Sequence, residues 1–186
     1  GFGYSVALTD QWAIVGVYSR AKAFLFKNTG GTWGTTPAFA LDQNTWETTY
    51  DAGFGDSVAL TDQWAIVGAY DAKKAFLFKN NGGTWGTTPA FALDQNTGES
   101  AFGYSVALTN KWVMAGANGA NKAFIFTREC TLGSVHNYTD TLSNPCIQCP
   151  TAKFSAKTGL RYNCTNCASG KSNAGTGNTD CSACPA

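Results

Sequence analysis

The sequence predicts an all-β chain, with stacked four-stranded antiparallel sheets over residues 1–129 and a small disulfide-rich module over residues 130–186. Three observations predict it. Gly1–Glu47 and Gly53–Glu99 are near-copies that differ at seven of 47 aligned positions, and a third, diverged copy begins at Phe102. The apolar runs within each copy are short, rich in Val, Phe and Trp, and broken by Gly and turn residues. All seven cysteines lie from Cys130 onward, where large apolar residues become scarce. Self-similarity on this scale marks a repeat architecture in which each unit hides its apolar faces only against a neighbour. The cysteine-bearing segment lacks the material for a core and needs staples.

Three repeats follow, over 1–52, 53–101 and 102–129. Matching landmarks lie 52 residues apart from Phe2 to Phe54 and 48 from Phe54 to Phe102, the difference falling in Thr48–Gly53. An insertion there reads as a surface loop. In the second repeat, Ser57–Thr61 is a first strand, Asp62-Gln63 a two-residue connection and Trp64–Tyr70 a second strand. Such a connection between β-prone runs predicts a hairpin. The turn Asp71–Lys74 leads to a third strand, Ala75–Lys79, and Asn80-Asn81-Gly82-Gly83 supplies residues that tolerate positive φ. Thr84-Trp85 and a fourth strand at Pro89–Leu93 complete an antiparallel meander.

The second and third strands are apolar at nearly every position instead of alternating, so both faces of each sheet are expected to be covered. Stacked four-stranded sheets of this kind are β-propeller-type blades. Phe54-Gly55-Asp56-Ser57-Val58-Ala59-Leu60, with Ile66–Tyr70 and Ala75–Phe78, resembles the FG-GAP repeat of integrin α-subunit propellers and many extracellular proteins. The same pattern stands at Phe2–Leu8 with Val15–Tyr18, and at Phe102–Leu108 with Ala115–Asn118. The resemblance spans about residues 1–127 and implies one blade per repeat, usually seven in a closed ring. Two complete units and a third ending near Thr127 make an incomplete ring, so neighbouring blades of a longer chain or other subunits are expected at the open ends. Gly1 at the start of a repeat and Cys184-Pro185-Ala186 at the end of the chain also suggest a piece of a longer polypeptide.

Many FG-GAP proteins hold calcium in an Asp-rich loop between the first two strands. Here that loop is reduced to Asp10-Gln11, Asp62-Gln63 and Asn110-Lys111. One carboxylate per turn falls short of the six to eight oxygens calcium takes, and no metal or other cofactor is expected.

The cysteines stand as Cys130, Cys146-x-x-Cys149, Cys164-x-x-Cys167 and Cys181-x-x-Cys184. Paired knuckles could hold zinc through four thiolates. Three knuckles and a single cysteine do not divide into fours, however, and the intervals Cys130–Cys146, Cys149–Cys164 and Cys167–Cys181 enclose 15, 14 and 13 residues. Sequential pairing of those six as disulfides leaves Cys184 for a further module, and each such loop would contribute about 3 kcal/mol. Cys146–Pro150, Cys164–Cys167 and Cys181–Pro185 resemble the ephrin-receptor-like cysteine-rich repeats of extracellular proteins, with Ala152 where that family usually has Gly and Ala168 in place of the second Pro. Asn137-Tyr138-Thr139 and Asn163-Cys164-Thr165 are glycosylation sequons and agree with an oxidising secretory setting. Extracellular or cell-surface localisation is therefore expected.

Charged residues make up 13% of the chain and the net charge is +1, which offers no electrostatic footprint for nucleic acid or anionic membrane. No apolar run is long enough to span a bilayer. His136 is the single histidine and sits in a polar segment, so a His-based triad has no visible partners. The acids Asp42 with Glu47, and Asp94 with Glu99, recur once per repeat, whereas a catalytic carboxylate pair is normally singular. Trp12, Trp64 and Trp112 open the second strands and read as packing; Trp33 and Trp85 follow Gly-Gly and are candidates for stacking on a sugar.

The expectation is a non-enzymatic extracellular structural protein, a subunit of a surface fibre that self-associates through its blades and cysteine-rich module. The alternative is an adhesion ectodomain in which the chain forms part of a closed propeller and binds a carbohydrate or protein ligand.

Overall fold

The apolar runs do form strands, and the copies do form separate sheets. A computed structural model describes residues 1–43, 53–94 and 100–127, together with short strands and residues 167–168 beyond them. The chain divides into two compact units, Gly1–Phe124 and Ile125–Ala186.

The first repeat contributes β1 (Phe2–Leu8), β2 (Trp12–Val17), β3 (Lys22–Thr29), β4 (Thr32–Trp33) and β5 (Phe39–Leu41). The second contributes β6 (Phe54–Leu60), β7 (Trp64–Ala69), β8 (Lys74–Asn81), β9 (Thr84–Trp85) and β10 (Phe91–Asp94). The third contributes β11 (Phe102–Leu108), β12 (Trp112–Ala117) and β13 (Lys122–Thr127). The strands are ordered β1-β2-β3-β5 in the first blade, β6-β7-β8-β10 in the second and β11-β12-β13 in the third, and they pair antiparallel throughout the first two and between β11 and β12.

Two features differ from the simple meander. The third strand of each complete blade is longer than expected: the near end of β8 pairs with β10, while its far end, Asn80-Asn81, pairs with β9. Thr84-Trp85 is thus an ear on the third strand, outside the four-stranded path. Gly82 (φ +65°) and Gly83 (φ +98°) close this ear as a two-residue turn with positive φ at both positions, which glycine adopts without a Cβ penalty. The first strand also starts earlier than predicted, at Phe54, because a bulge interrupts the pairing of β6 with β7 between Phe54 and Val58. Gly55 in that bulge has φ +96°. The bulge recurs in β1 and β11.

The blades lie face against face, β6 on β1 and β2, and β11 on β6 and β7. Between the first two blades a core forms from Trp12, Ile14, Leu25 and Leu41 on one side and Phe54, Val67, Phe76, Phe78 and Trp85 on the other. The middle blade is covered on both faces, with Ile66 and Leu77 at 0% exposure on the face opposite Val67 and Phe76. The outer blades alternate, and with opposite phase. Along β2, Trp12 and Ile14 are buried and Ala13 and Val15 half-buried; along β12, Val113 and Ala115 are buried and Trp112 and Met114 exposed. Near-identical strands therefore show different burial solely because of their place in the stack.

In the second unit the described strands form three separate two-stranded ladders: β14 (Ser134–His136) with β15 (Cys146–Gln148), β16 (Lys153–Phe154) with β17 (Thr165–Asn166), and β18 (Lys171–Ser172) with β19 (Ser182–Ala183). Each second strand falls within a Cys-x-x-Cys knuckle. No described helix is long and apolar enough to cross a membrane.

Candidate functional site

The recurring Phe-Gly-x-Ser motif builds the contact between blades. A β-bulge takes residues out of their own ladder, and the carbonyl of the bulge glycine is then free to point at the preceding blade. Ser5 Oγ donates to the Gly55 carbonyl at 2.8 Å, and Ser57 Oγ donates to the Gly103 carbonyl at 2.9 Å. The serine stands over a glycine of its own second strand, Gly16 or Gly68. A Cβ on Gly16 would lie 2.0 Å from the Gly55 oxygen and 2.3 Å from Ser5 Oγ; on Gly68 it would lie 2.0 Å from the Gly103 oxygen and 2.2 Å from Ser57 Oγ. Serine, bulge glycine and strand glycine thus act together to let two backbones approach.

Aromatic side chains close the rest of the junction. Phe54 packs between Phe76 and Phe78 of its own blade, at ring-centroid distances of 5.7 and 6.2 Å, and is wholly buried under the first blade. Trp85, carried by the ear of the second blade, meets Trp12 of the first edge-to-face at 5.7 Å and 82°. Thr9 Oγ1 donates to Asp62 Oδ1 at 2.5 Å across the same junction.

At the first blade's outer face no described blade covers these groups. Phe2, Val6, Leu8 and Trp33 are 64%, 67%, 72% and 40% exposed, although their counterparts Phe54, Val58, Leu60 and Trp85 all belong to or pack against the core. The third blade leaves the opposite face open, with Trp112 at 36% and Met114 at 37%. Ser105 Oγ lies over Gly116 as Ser57 lies over Gly68, but Ser105 is exposed.

A second cluster follows the first strands: Tyr4 against Tyr18 at 5.7 Å, and Tyr70 against Tyr104 at 5.6 Å. Asp56 stands where the flanking repeats have Tyr4 and Tyr104. Burial pushes its carboxyl up to about 6, with Asp71 adding to the shift and the N-terminal ammonium opposing it. Its Oδ1 is buried without a hydrogen-bond partner. Tyr70 is pushed up to about 12 by burial first, then by Asp71 and Asp56.

The other residues singled out in the sequence fall as follows. The shortened Asp10-Gln11 and Asp62-Gln63 loops are hairpin turns whose carbonyls accept from Asn28 Nδ2 and Asn80 Nδ2 at 2.9 and 2.8 Å. Among the described residues no group of three or more His, Cys, Asp or Glu could hold a metal ion. Asp42 forms an exposed 3.5 Å ion pair with Lys22, and Asp94 ends β10 opposite Lys74; Glu47 and Glu99 lie outside the described residues. Trp85 is a packing residue, not a sugar platform, whereas Trp33 borders a shallow cleft with Lys27, Thr32 and Pro37. Trp12 is buried, Trp64 stacks on Phe91, and Trp112 is the exposed member of its set.

Cys167 is disulfide-bonded. Cys130, Cys149, Cys164, Cys181, Cys184, Asn137 and Asn163 lie outside the described residues. Cys146 and His136 are opposite each other in the β14–β15 ladder, their side chains outside the description. Sequence reasoning missed the Ser–Gly contact and the Asp56 cluster. The signal for the former was present, since Ser and Gly recur at the same two places in all three copies.

No known family model matches this chain, and no curated protein is significantly similar to it.

Proposed function

We propose that the chain is a non-enzymatic extracellular structural protein, a subunit of a surface fibre, built from FG-GAP-like blades and an ephrin-receptor-like cysteine-rich module. One observation carries this reading: the two outer blades leave apolar side chains exposed on opposite faces, while the middle blade buries side chains on both, Val67 and Phe76 on one and Ile66 and Leu77 on the other. Faces of different kind at the two ends of a stack support head-to-tail contact, which gives fibres when the rotation does not close. The clustered cysteines, with Cys167 in a disulfide, and the sequons at Asn137 and Asn163 support an oxidising, secreted setting. Disulfides at Cys130, Cys146, Cys149, Cys164, Cys167 and Cys181 would make the module a stiff stalk or clip, with Cys184 left for a neighbouring module.

Electron microscopy of the full chain, produced with its disulfides formed, tests the reading. Filaments of regular width are expected. Discs of fixed size, or single particles at every concentration, would overturn it.

A further inference from the structure

The geometry points to a second copy of this chain as the occupant of both open faces, with the third blade of one copy docking on the first blade of the next through the junction seen between the first and second blades, whose Ser–Gly contact recurs between the second and third. This rests on the fibre-subunit reading and names its contact.

The correspondence runs residue by residue. At the junction of the first and second blades, Ser5, Trp12, Ile14 and Gly16 meet Phe54, Gly55, Val58, Leu60 and Trp85. The open face of the third blade presents Ser105, Trp112, Met114 and Gly116 at the first four positions. Three are identical, and Met for Ile conserves volume in a flexible side chain that fits irregular gaps. The open face of the first blade presents Phe2, Gly3, Val6, Leu8 and Trp33, identical to the second blade at all five positions.

The backbone is already shaped for the contact. Gly3 holds φ +81°, in the same region as Gly55 at +96° and Gly103 at +90°, although nothing lies within 4 Å of where its Cβ would stand. The bulge that aims a glycine carbonyl at a preceding serine is therefore formed in the first blade too, where no described residue meets it. Ser105 over Gly116 is the matching donor. In the docked pair, Ser105 Oγ donates to the Gly3 carbonyl of the next copy. Trp33 of that copy meets Trp112 edge-on, as Trp85 meets Trp12, and Thr109 faces Asp10 as Thr9 faces Asp62. Phe2, Val6 and Leu8, among the most exposed large apolar side chains of the described residues, go under cover.

Sedimentation velocity of the full, disulfide-intact chain tests this with Val6→Glu, which blocks the first face, and Met114→Glu, which blocks the second. Both residues are exposed in the free chain, and circular dichroism checks that each variant folds; Leu8→Glu and Ser105→Glu are the second choices at the same two faces. The wild-type chain is expected to self-associate, and each variant to weaken that association at least about 100-fold by placing a charge in an apolar junction. Mixed in equal amounts, the two variants should form a dimer and nothing larger, because one intact face of each kind remains. Association of the wild type that neither substitution changes would overturn this contact while leaving the fibre reading standing. A wild type that stops at a dimer dissociated by both substitutions supports the contact and overturns the fibre. A wild-type chain that stays monomeric overturns both, and leaves the faces to a different occupant.

Discussion

Replacing Gly68 by Ala perturbs the junction between the second and third blades at its closest point. The added Cβ would stand 2.0 Å from the Gly103 carbonyl oxygen and 2.2 Å from Ser57 Oγ, roughly 1 Å inside any tolerable contact. Rotating Ser57 relieves the second clash but surrenders its 2.9 Å hydrogen bond to Gly103, worth about 1 kcal/mol. The first clash involves backbone on both sheets, so it is relieved only if the blades part, an overpacking cost of about 1–3 kcal/mol. The sum is a loss of about 2–4 kcal/mol. Urea denaturation reads it as a lower midpoint at unchanged slope. Gly16→Ala should behave alike, since its Cβ meets the Gly55 oxygen at the same 2.0 Å. Gly116→Ala meets only the rotatable Ser105 hydroxyl and should cost less than about 1 kcal/mol in the unassembled chain. Gly86→Ala, 3.6 Å from its nearest neighbour, should stay within about 0.5 kcal/mol of wild type. A Gly68 variant as stable as the Gly86 control would refute the close-approach argument.

Other consequences are equally specific. Trp85→Ala should cost about 3–5 kcal/mol, and Trp33→Ala less than about 1 kcal/mol, because identical sequence surroundings place one under a blade and the other at 40% exposure; chemical denaturation of the two variants in parallel checks this. The Asp56 carboxyl, about 6 in the folded chain against 3.8 as a free side chain, binds its proton more tightly when folded, so its contribution to stability falls as pH rises from about 4 to about 6. Asp56→Asn should flatten that slope and stabilise the chain above pH 6 by about 1 kcal/mol after allowing for solvent screening of a half-buried group; thermal melts across pH, compared with wild type, decide it. Gly82→Ala meets no neighbour but forces a side chain into φ +65°, and should cost about 1 kcal/mol by denaturation without changing association.

Much of this fold is legible in the sequence, for identifiable reasons. The run Ala75–Phe78, apolar at every position, announces a strand covered on both sides, and in the middle blade Ala75, Phe76, Leu77 and Phe78 are all buried. Gly82-Gly83 announces a tight turn by its tolerance of positive φ. What the strand pattern could not convey is position in the stack. Leu60 and Leu8 have the same neighbours in sequence, yet one packs against the core and the other is 72% exposed. That difference comes from the adjoining blade, which no local window contains. The bulge at Gly55 escaped notice because a Phe-Gly-x-Ser stretch reads equally well as a loop leading into a strand. The ear was misplaced because two residues, Thr84-Trp85, carry no periodicity of their own. Trp85 was open to a surface reading for the same reason: what covers it is Trp12, 73 positions away along the chain.

Face-to-face stacking of successive blades is the claim on which the rest stands, and a double-mutant cycle on Trp12 and Trp85 tests it most directly. The two rings lie on different blades and touch edge-to-face at 5.7 Å. Denaturation of Trp12→Ala, Trp85→Ala and the double variant should give a coupling energy of about 0.5–1.5 kcal/mol. Costs that simply add would mean that the two blades do not meet through these faces.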